Sequence, residues 1–148
     1  VRPRGQPPAL IVHHQERDRH VGPGPATVQS RTRGGGISSA GAAGADAVGV
    51  QDTATFVLAT STTGYTTNLP LEHLRGGQAW VAWEADGKPL SREHGGPVRL
   101  LVPHLYFWKS AKWVTKLTLL DHDVQGFWER NGYHDLGDPW REQRYQGD

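Results

Sequence analysis

There is no cysteine anywhere in this chain of 148 residues. Its own side chains therefore supply no disulfide, no thiolate metal ligand and no cysteine nucleophile. Methionine is absent too, and the chain starts at Val1. Excess charge is scarce: the formal net charge is +1, too small to draw the chain to nucleic acid or a membrane surface. No apolar run approaches the ~20 residues that cross a bilayer. Arg2 and Arg4 are not followed by an apolar segment, so neither a signal peptide nor a twin-arginine pattern is legible. The expectation is a cytoplasmic protein with no nucleic-acid and no membrane partner. At this length the chain suits one modest domain that buries roughly two-thirds of its unfolded surface.

Aromatic residues are missing from the first 49 positions. That segment is rich in Gly, Pro, Ala and Arg, with runs such as Gly34-Gly35-Gly36. It offers few large apolar groups to offset an ordering entropy of roughly 1–2 kcal/mol per residue. Residues 1–49 read as a disordered or degenerate segment, with Leu10-Ile11-Val12 the one candidate strand. His13, His14 and His20 have no carboxylate partners at metal-site spacing. Glu16, Asp18 and Asp46 dilute any basic arm.

Residues 50–148 have the pattern of a folded domain. Thr55 to Thr60 is β-branched and apolar and reads as a strand. Ser61 to Asn68 is polar throughout and reads as a loop. Pro70 to Leu74 suits one or two helical turns, closed by Gly76-Gly77. Ala79 to Glu84 reads as a second strand, and Asp86-Gly87 as a hairpin turn. Val114 to Leu119 alternates apolar and polar residues, the signature of a strand with one face on a core. The tail from Asp121 holds Phe127, Trp128, Tyr133, Trp140 and Tyr145, and most of these aromatics are expected to pin it to the domain.

The richest stretch runs from His94 to Trp113. A Gly95-Gly96-Pro97 turn is followed by Arg99, the apolar run Leu100-Leu101-Val102, Pro103, and a short aromatic segment ending in Lys109, Ser110 and Lys112. This reads as a buried strand with a cationic corner at each end. Glycine turns beside Arg and Lys suit a phosphate, because backbone N–H groups and cations both face the anion. The competing reading is a buried strand with solvated ends, and composition alone favours it, since Gly-Pro turns and strand-end cations are common.

Four motifs in order carry a family resemblance: Gly64-Tyr65-Thr66-Thr67-Asn68-Leu69-Pro70-Leu71, His94-Gly95-Gly96-Pro97-Val98-Arg99, Val102-Pro103, and Lys109-Ser110-Ala111-Lys112-Trp113. With the tail motifs Gly126-Phe127-Trp128-Glu129, Gly132-Tyr133-His134 and Asp138-Pro139-Trp140, the C-terminal two-thirds resembles the sulfite oxidase type of molybdopterin-dependent oxidoreductase, in its compact bacterial branch. The resemblance implies an α+β, mostly β fold, incomplete here on its N-terminal side, with Mo-molybdopterin as cofactor. It implies oxygen-atom transfer on a small oxyanion or sulfoxide, and an electron acceptor as partner. By position it assigns cofactor binding to His94, Arg99, Ser110, Ala111 and Lys112. Lys109 falls where a further cation often lies. Tyr133 falls where the family keeps a tyrosine near metal and substrate, and a purely structural tyrosine fits as well.

One element of the family pattern is missing. Family members bind molybdenum through a cysteine thiolate, and this chain has none. Neither His nor Ser matches a thiolate's electron donation to the metal. A truncated or frame-disrupted product, a divergent pseudoenzyme, and a chain that binds only the pterin end all fit that absence. A small β interaction module, with the Trp-rich tail as its contact face, is the alternative from another class.

Overall fold

The computed structural model describes residues 11–14, 26–27, 53–85 and 88–148. Within them the fold is mostly β with a few short helical turns. A five-stranded sheet is formed by β1 (Ile11–His14), β2 (Ala26–Thr27), β3 (Phe56–Ser61), β4 (Thr66–Pro70) and β9 (Val114–Leu120), in the order β2-β1-β9-β3-β4. Two small antiparallel pairs complete the strands: β5 (Trp80–Ala82) with β8 (Arg99–Leu101), and β6 (Glu84–Ala85) with β7 (Lys88–Pro89). The one α-helix among the described residues is the single turn α1 (Phe127–Arg130). None of the described helices is long and apolar enough to cross a membrane.

Strand β3 behaves as its composition predicts. Val57, Ala59 and Ser61 alternate onto the buried side, while Phe56, Leu58 and Thr60 are half-buried. Val57 and Ala59 join Leu69, Val81, Leu100, Val102, Leu117 and Leu119 in one core cluster. Residues 71–74 form the expected helical turn, with Leu71 and Leu74 buried. The candidate strand at Leu10 is found as β1, displaced to Ile11–His14 and paired parallel with β9. Most of the segment read as disordered lies outside the described residues, as does Asp86-Gly87. The strands on either side of that dipeptide pair antiparallel.

Three expectations are corrected. The polar stretch 61–68 is not all loop, because Thr66 to Pro70 is strand β4, paired along its length with β3. Its polar side chains mislead because they are buried against polar partners: Thr67 and Asn68 are 0% and 1% exposed. Strand β9 is not half-buried but central. It lies between β1 and β3, and Leu117 to Leu120 are buried consecutively. Most of the tail aromatics are not buried, since Trp140 is 88% exposed and Phe127, Trp128 and Tyr145 are exposed as well.

The polar partners of β4 come from two later segments. Lys109 is wholly buried, in the helical turn 107–109. Its Nζ donates to Asn68 O at 2.8 Å, to Asn68 Oδ1 at 2.9 Å and to the Asp135 carbonyl. It also pairs with Glu129 Oε1 at 2.7 Å, an oxygen that accepts from Thr67 Oγ1 at 3.1 Å. Burial pulls the Lys109 ammonium below its ordinary value, against the opposing pull of Glu129, Asp135 and Asp123. The carboxylate reaches this position because Gly126 has no side chain. A Cβ there would lie 2.4 Å from the Thr66 carbonyl oxygen and 2.6 Å from Glu129 Oε2.

Breaking one side of a buried pair leaves an uncompensated charge, which costs about 3–5 kcal/mol. Lys109→Met is expected to lower the urea unfolding free energy by that amount. The double variant Lys109→Met, Glu129→Leu should recover at least half of it. A single variant within about 1 kcal/mol of the parent would show that the pair does not hold the fold.

Candidate functional site

The site is built from two backbone segments that lie side by side. Residues 95–102 enter β8, and residues 110–114 lead into β9. Leu100 N donates to Ala111 O at 2.8 Å, Val114 N to Val98 O at 2.9 Å, and Trp113 N to Gly95 O at 3.1 Å. Val102 N donates to Ser110 Oγ at 2.9 Å. This lacing brings Arg99 and Lys112 onto the same cleft, so the two cationic corners expected from the sequence share one cavity.

Gly95 makes the close approach possible. Its φ of +99° is left-handed, and a Cβ there would lie 2.9 Å from Lys112 Cγ and 3.0 Å from Arg99 Cβ. Both cations are tied to backbone carbonyls. Arg99 Nη1 donates to His94 O at 3.1 Å, Nη2 to Ser110 O at 3.2 Å and Nε to Leu100 O at 3.4 Å. Partial burial lowers the guanidinium from its ordinary value, yet arginine keeps its charge in proteins. Lys112 Nζ donates to Glu93 O at 2.7 Å and lies 5.8 Å from the Trp113 ring centroid.

The cleft is open and has a volume of about 260 Å³. Tyr65, Phe107, Trp108, Trp113 and Trp128 wall it, and Ser110 and Ala111 line it between the cations. Tyr65 is tied across it by a hydrogen bond from its hydroxyl to the Trp108 carbonyl. Burial, with Glu129 nearby, pushes the Tyr65 phenol up, so it stays protonated. Flat walls with two cations suit a ligand that has a planar group and an anionic end.

Arg99, Ser110, Ala111 and Lys112 of the predicted set meet at this cleft. His94 stands at its edge: its ring engages Ser91 Oγ at 2.8 Å, and its carbonyl anchors Arg99. Tyr133 lies behind the wall. It packs edge-on against Trp108 at 5.0 Å and tilted against Trp128 at 5.0 Å. Lys109 is absent from the cleft and belongs to the buried pair. The aromatic walls were missed as site residues because their sequence neighbours carry no common mark: Tyr65 lies among hydroxyls, and Trp113 and Trp128 lie beside charges. Among the described residues no group of three or more His, Cys, Asp or Glu is placed to hold a metal ion. The donor set therefore fits the anionic end of a pterin cofactor and supplies no thiolate to its metal.

Gly95→Ala should cost more than Gly64→Ala. Both glycines are left-handed, with φ of +99° and +82°, but a Cβ on Gly64 meets nothing within 4 Å. The shared backbone cost is about 1–2 kcal/mol, and chemical denaturation of the two variants isolates the crowding at Gly95. Equal costs would mean that the cations have room to spare.

The family described as "Oxidoreductase molybdopterin binding domain" matches residues 42–128. The uncharacterized oxidoreductase YuiH of Bacillus subtilis (strain 168) is 46% identical over 104 residues, which are 70% of this chain and 52% of that protein. The mitochondrial sulfite oxidase of Rattus norvegicus is 34% identical over 73 residues, 48% of this chain and 13% of that protein. Among solved structures, the sulfane dehydrogenase SoxCD from Paracoccus pantotrophus superposes with a TM-score of 0.50 at 26% identity, covering 59% of this chain and 22% of that one. The chain thus spans about half the length of YuiH and less of the others. With the mostly β fold and the family match in agreement, this chain belongs to the oxidoreductase molybdopterin-binding domains of the sulfite oxidase family, as a member with no cysteine to serve as the usual molybdenum ligand.

Proposed function

We propose that this chain grips the pterin end of Mo-molybdopterin in an oxidoreductase that moves an oxygen atom to or from a small oxyanion or sulfoxide. Electrons would pass to a separate acceptor. The observation that carries this reading is the convergence of Arg99 and Lys112 on one aromatic-walled cleft. Arg99 and Lys112 would meet the cofactor's phosphate, with the Ser110-Ala111 backbone between them. The walls from Tyr65 to Trp128 would exclude water from the ring system. His94 would hold Arg99 in place through its carbonyl, and Tyr133 would support Trp108 and Trp128 from behind. When bound, the cofactor's metal supplies the redox chemistry, and the chain's own residues bind and orient it.

The missing cysteine favours a narrower second reading. A thiolate ligand for the metal has to come from outside these 148 residues, or else the chain holds the pterin without stable metal. Molybdenum and pterin measured on the native full-length protein separate the two. Stoichiometric molybdenum with pterin supports the oxidoreductase, and pterin alone supports the pterin-binding remnant. Neither, together with a captured protein partner, would move the assignment to an interaction module.

At the level of single residues, Arg99→Ala and Lys112→Ala each remove a charge-assisted bond worth about 1.5–3 kcal/mol. Each should lower pterin retention about tenfold or more, read as the fluorescence of pterin released on denaturation. Lys88→Ala, an exposed cation in β7, should leave retention unchanged. Unaltered retention in both cleft variants would remove their assigned role.

A further inference from the structure

Two histidines far apart in sequence meet beside the segment that carries the cleft wall. His73 lies in the helical turn 71–74, anchored by the buried Leu71 and Leu74. His104 lies between β8 and the turn 107–109, just before Leu105. His73 Nδ1 and His104 Nε2 are 2.9 Å apart. The ring planes differ by 20° and the centroids are 5.1 Å apart. That separation is close to the N···N distance plus the two ring radii. The rings therefore meet edge to edge through their nitrogens rather than face to face. One imidazole donates and the other accepts, so a single proton bridges them.

Such a bridge survives with both rings neutral or with one ring charged. It fails when both rings are charged, because two N–H groups then face each other. The surroundings resist the second charge. Partial burial and the neighbouring His104 lower His73 from its ordinary value, and Lys109 acts in the same direction. Glu72, from the same turn, and Asp138, from the C-terminal segment, act against them. The sign follows from the lowered value in the fold. The bridge contributes stability above the ordinary imidazole value of about 6.5 and loses it as pH falls through the lower folded value.

We propose that the His73–His104 bridge is an acid-sensitive latch on the wall of the cleft. The segment 103–110 joins Arg99's strand to Ser110 and carries Phe107 and Trp108. At its far end it is fixed by the buried Lys109. In between, Tyr106 N donates to Gly137 O at 2.8 Å. At its near end Leu105 is buried in the core cluster, and beside it the histidine bridge ties His104 to the turn 71–74. Double protonation breaks the bridge and leaves that end held by Leu105 alone, so the aromatic wall loosens while the five-stranded sheet stays intact.

Amide hydrogen exchange of the full chain tests this without any ligand, so the outcome is independent of the pterin reading. Wild type and His104→Gln are compared at about pH 7.5 and about pH 5, spanning the imidazole range. Glutamine offers His73 a hydrogen-bonding partner that does not titrate. At neutral pH, peptides covering 103–110 should exchange alike in both proteins. At acid pH the wild-type peptides should exchange about tenfold faster than those of the variant, while β3 and β9 stay protected. Equal exchange at acid pH, or loosening spread evenly over the sheet, would overturn the latch. A ¹⁵N–¹⁵N coupling between the two imidazoles, present in wild type at neutral pH and lost at acid pH, gives a second reading. Its absence at neutral pH would also overturn it.

Discussion

The ammonium of Lys109 is the hub on which the packing turns. It is wholly enclosed, and its bonds reach β4 through Asn68, the C-terminal segment through Asp135, and α1 through Glu129. Removing two charges from water is unfavourable by several kcal/mol per ion. The arrangement holds because Asn68 O and Oδ1 both accept from the ammonium and Glu129 Oε1 is engaged by Lys109 and Thr67, although Glu129 Oε2 is buried without a hydrogen-bond partner. Its worth is therefore one of position: it sets where three separate pieces of chain stop relative to one another. The next residue in sequence is Ser110, so fixing Lys109 also fixes where the cleft begins.

The cleft then follows from backbone lacing. Neither cation is free to wander, because Arg99 is held by three carbonyls and Lys112 by one. On the proposed reading, a ligand arriving there would meet charges already ordered, and little side-chain entropy would be lost on binding. Arg99 suits this task better than a lysine would, since its planar fork satisfies several acceptors and still presents a charged face. The aromatic walls add shape. The stacking of Tyr106 on Trp108, with ring centroids 5.0 Å apart, stiffens the side of the cleft that carries Phe107.

The sequence was legible where one physical effect dominated. The β-branched run at 55–60 announced β3, and the Gly-Pro turn with Arg99 announced a cationic corner. The pairing of that corner with Lys112 needed a tertiary contact, yet both ends of the segment were visible. What stayed hidden was polar burial. Thr66-Thr67-Asn68 has a loop's composition, and only a distant Lys109 and Glu129 turn it into a strand. Likewise a cation at 109, flanked by Trp108 and Ser110, carries no local mark that separates a ligand contact from an internal ion pair. Central strand β9 was underestimated for a related reason. Lys116 and Thr118 give it the alternation of an outer strand, but its second neighbour, β1, lies at the other end of the chain.

That placement of β9 has a consequence for biosynthesis. Its two neighbours, β1 and β3, both leave the ribosome long before it does, and the register of Ile11 opposite Lys116 joins the two ends of the chain. The β3–β4 hairpin can close early from local contacts, but the edge of β3 remains unpaired until residue 120 has been made. Non-local strand pairing of this kind is slow, and open edges invite association between chains. Until β9 emerges, a nascent chain therefore presents the β3 edge to its neighbours, and that interval is when edge-to-edge association is easiest.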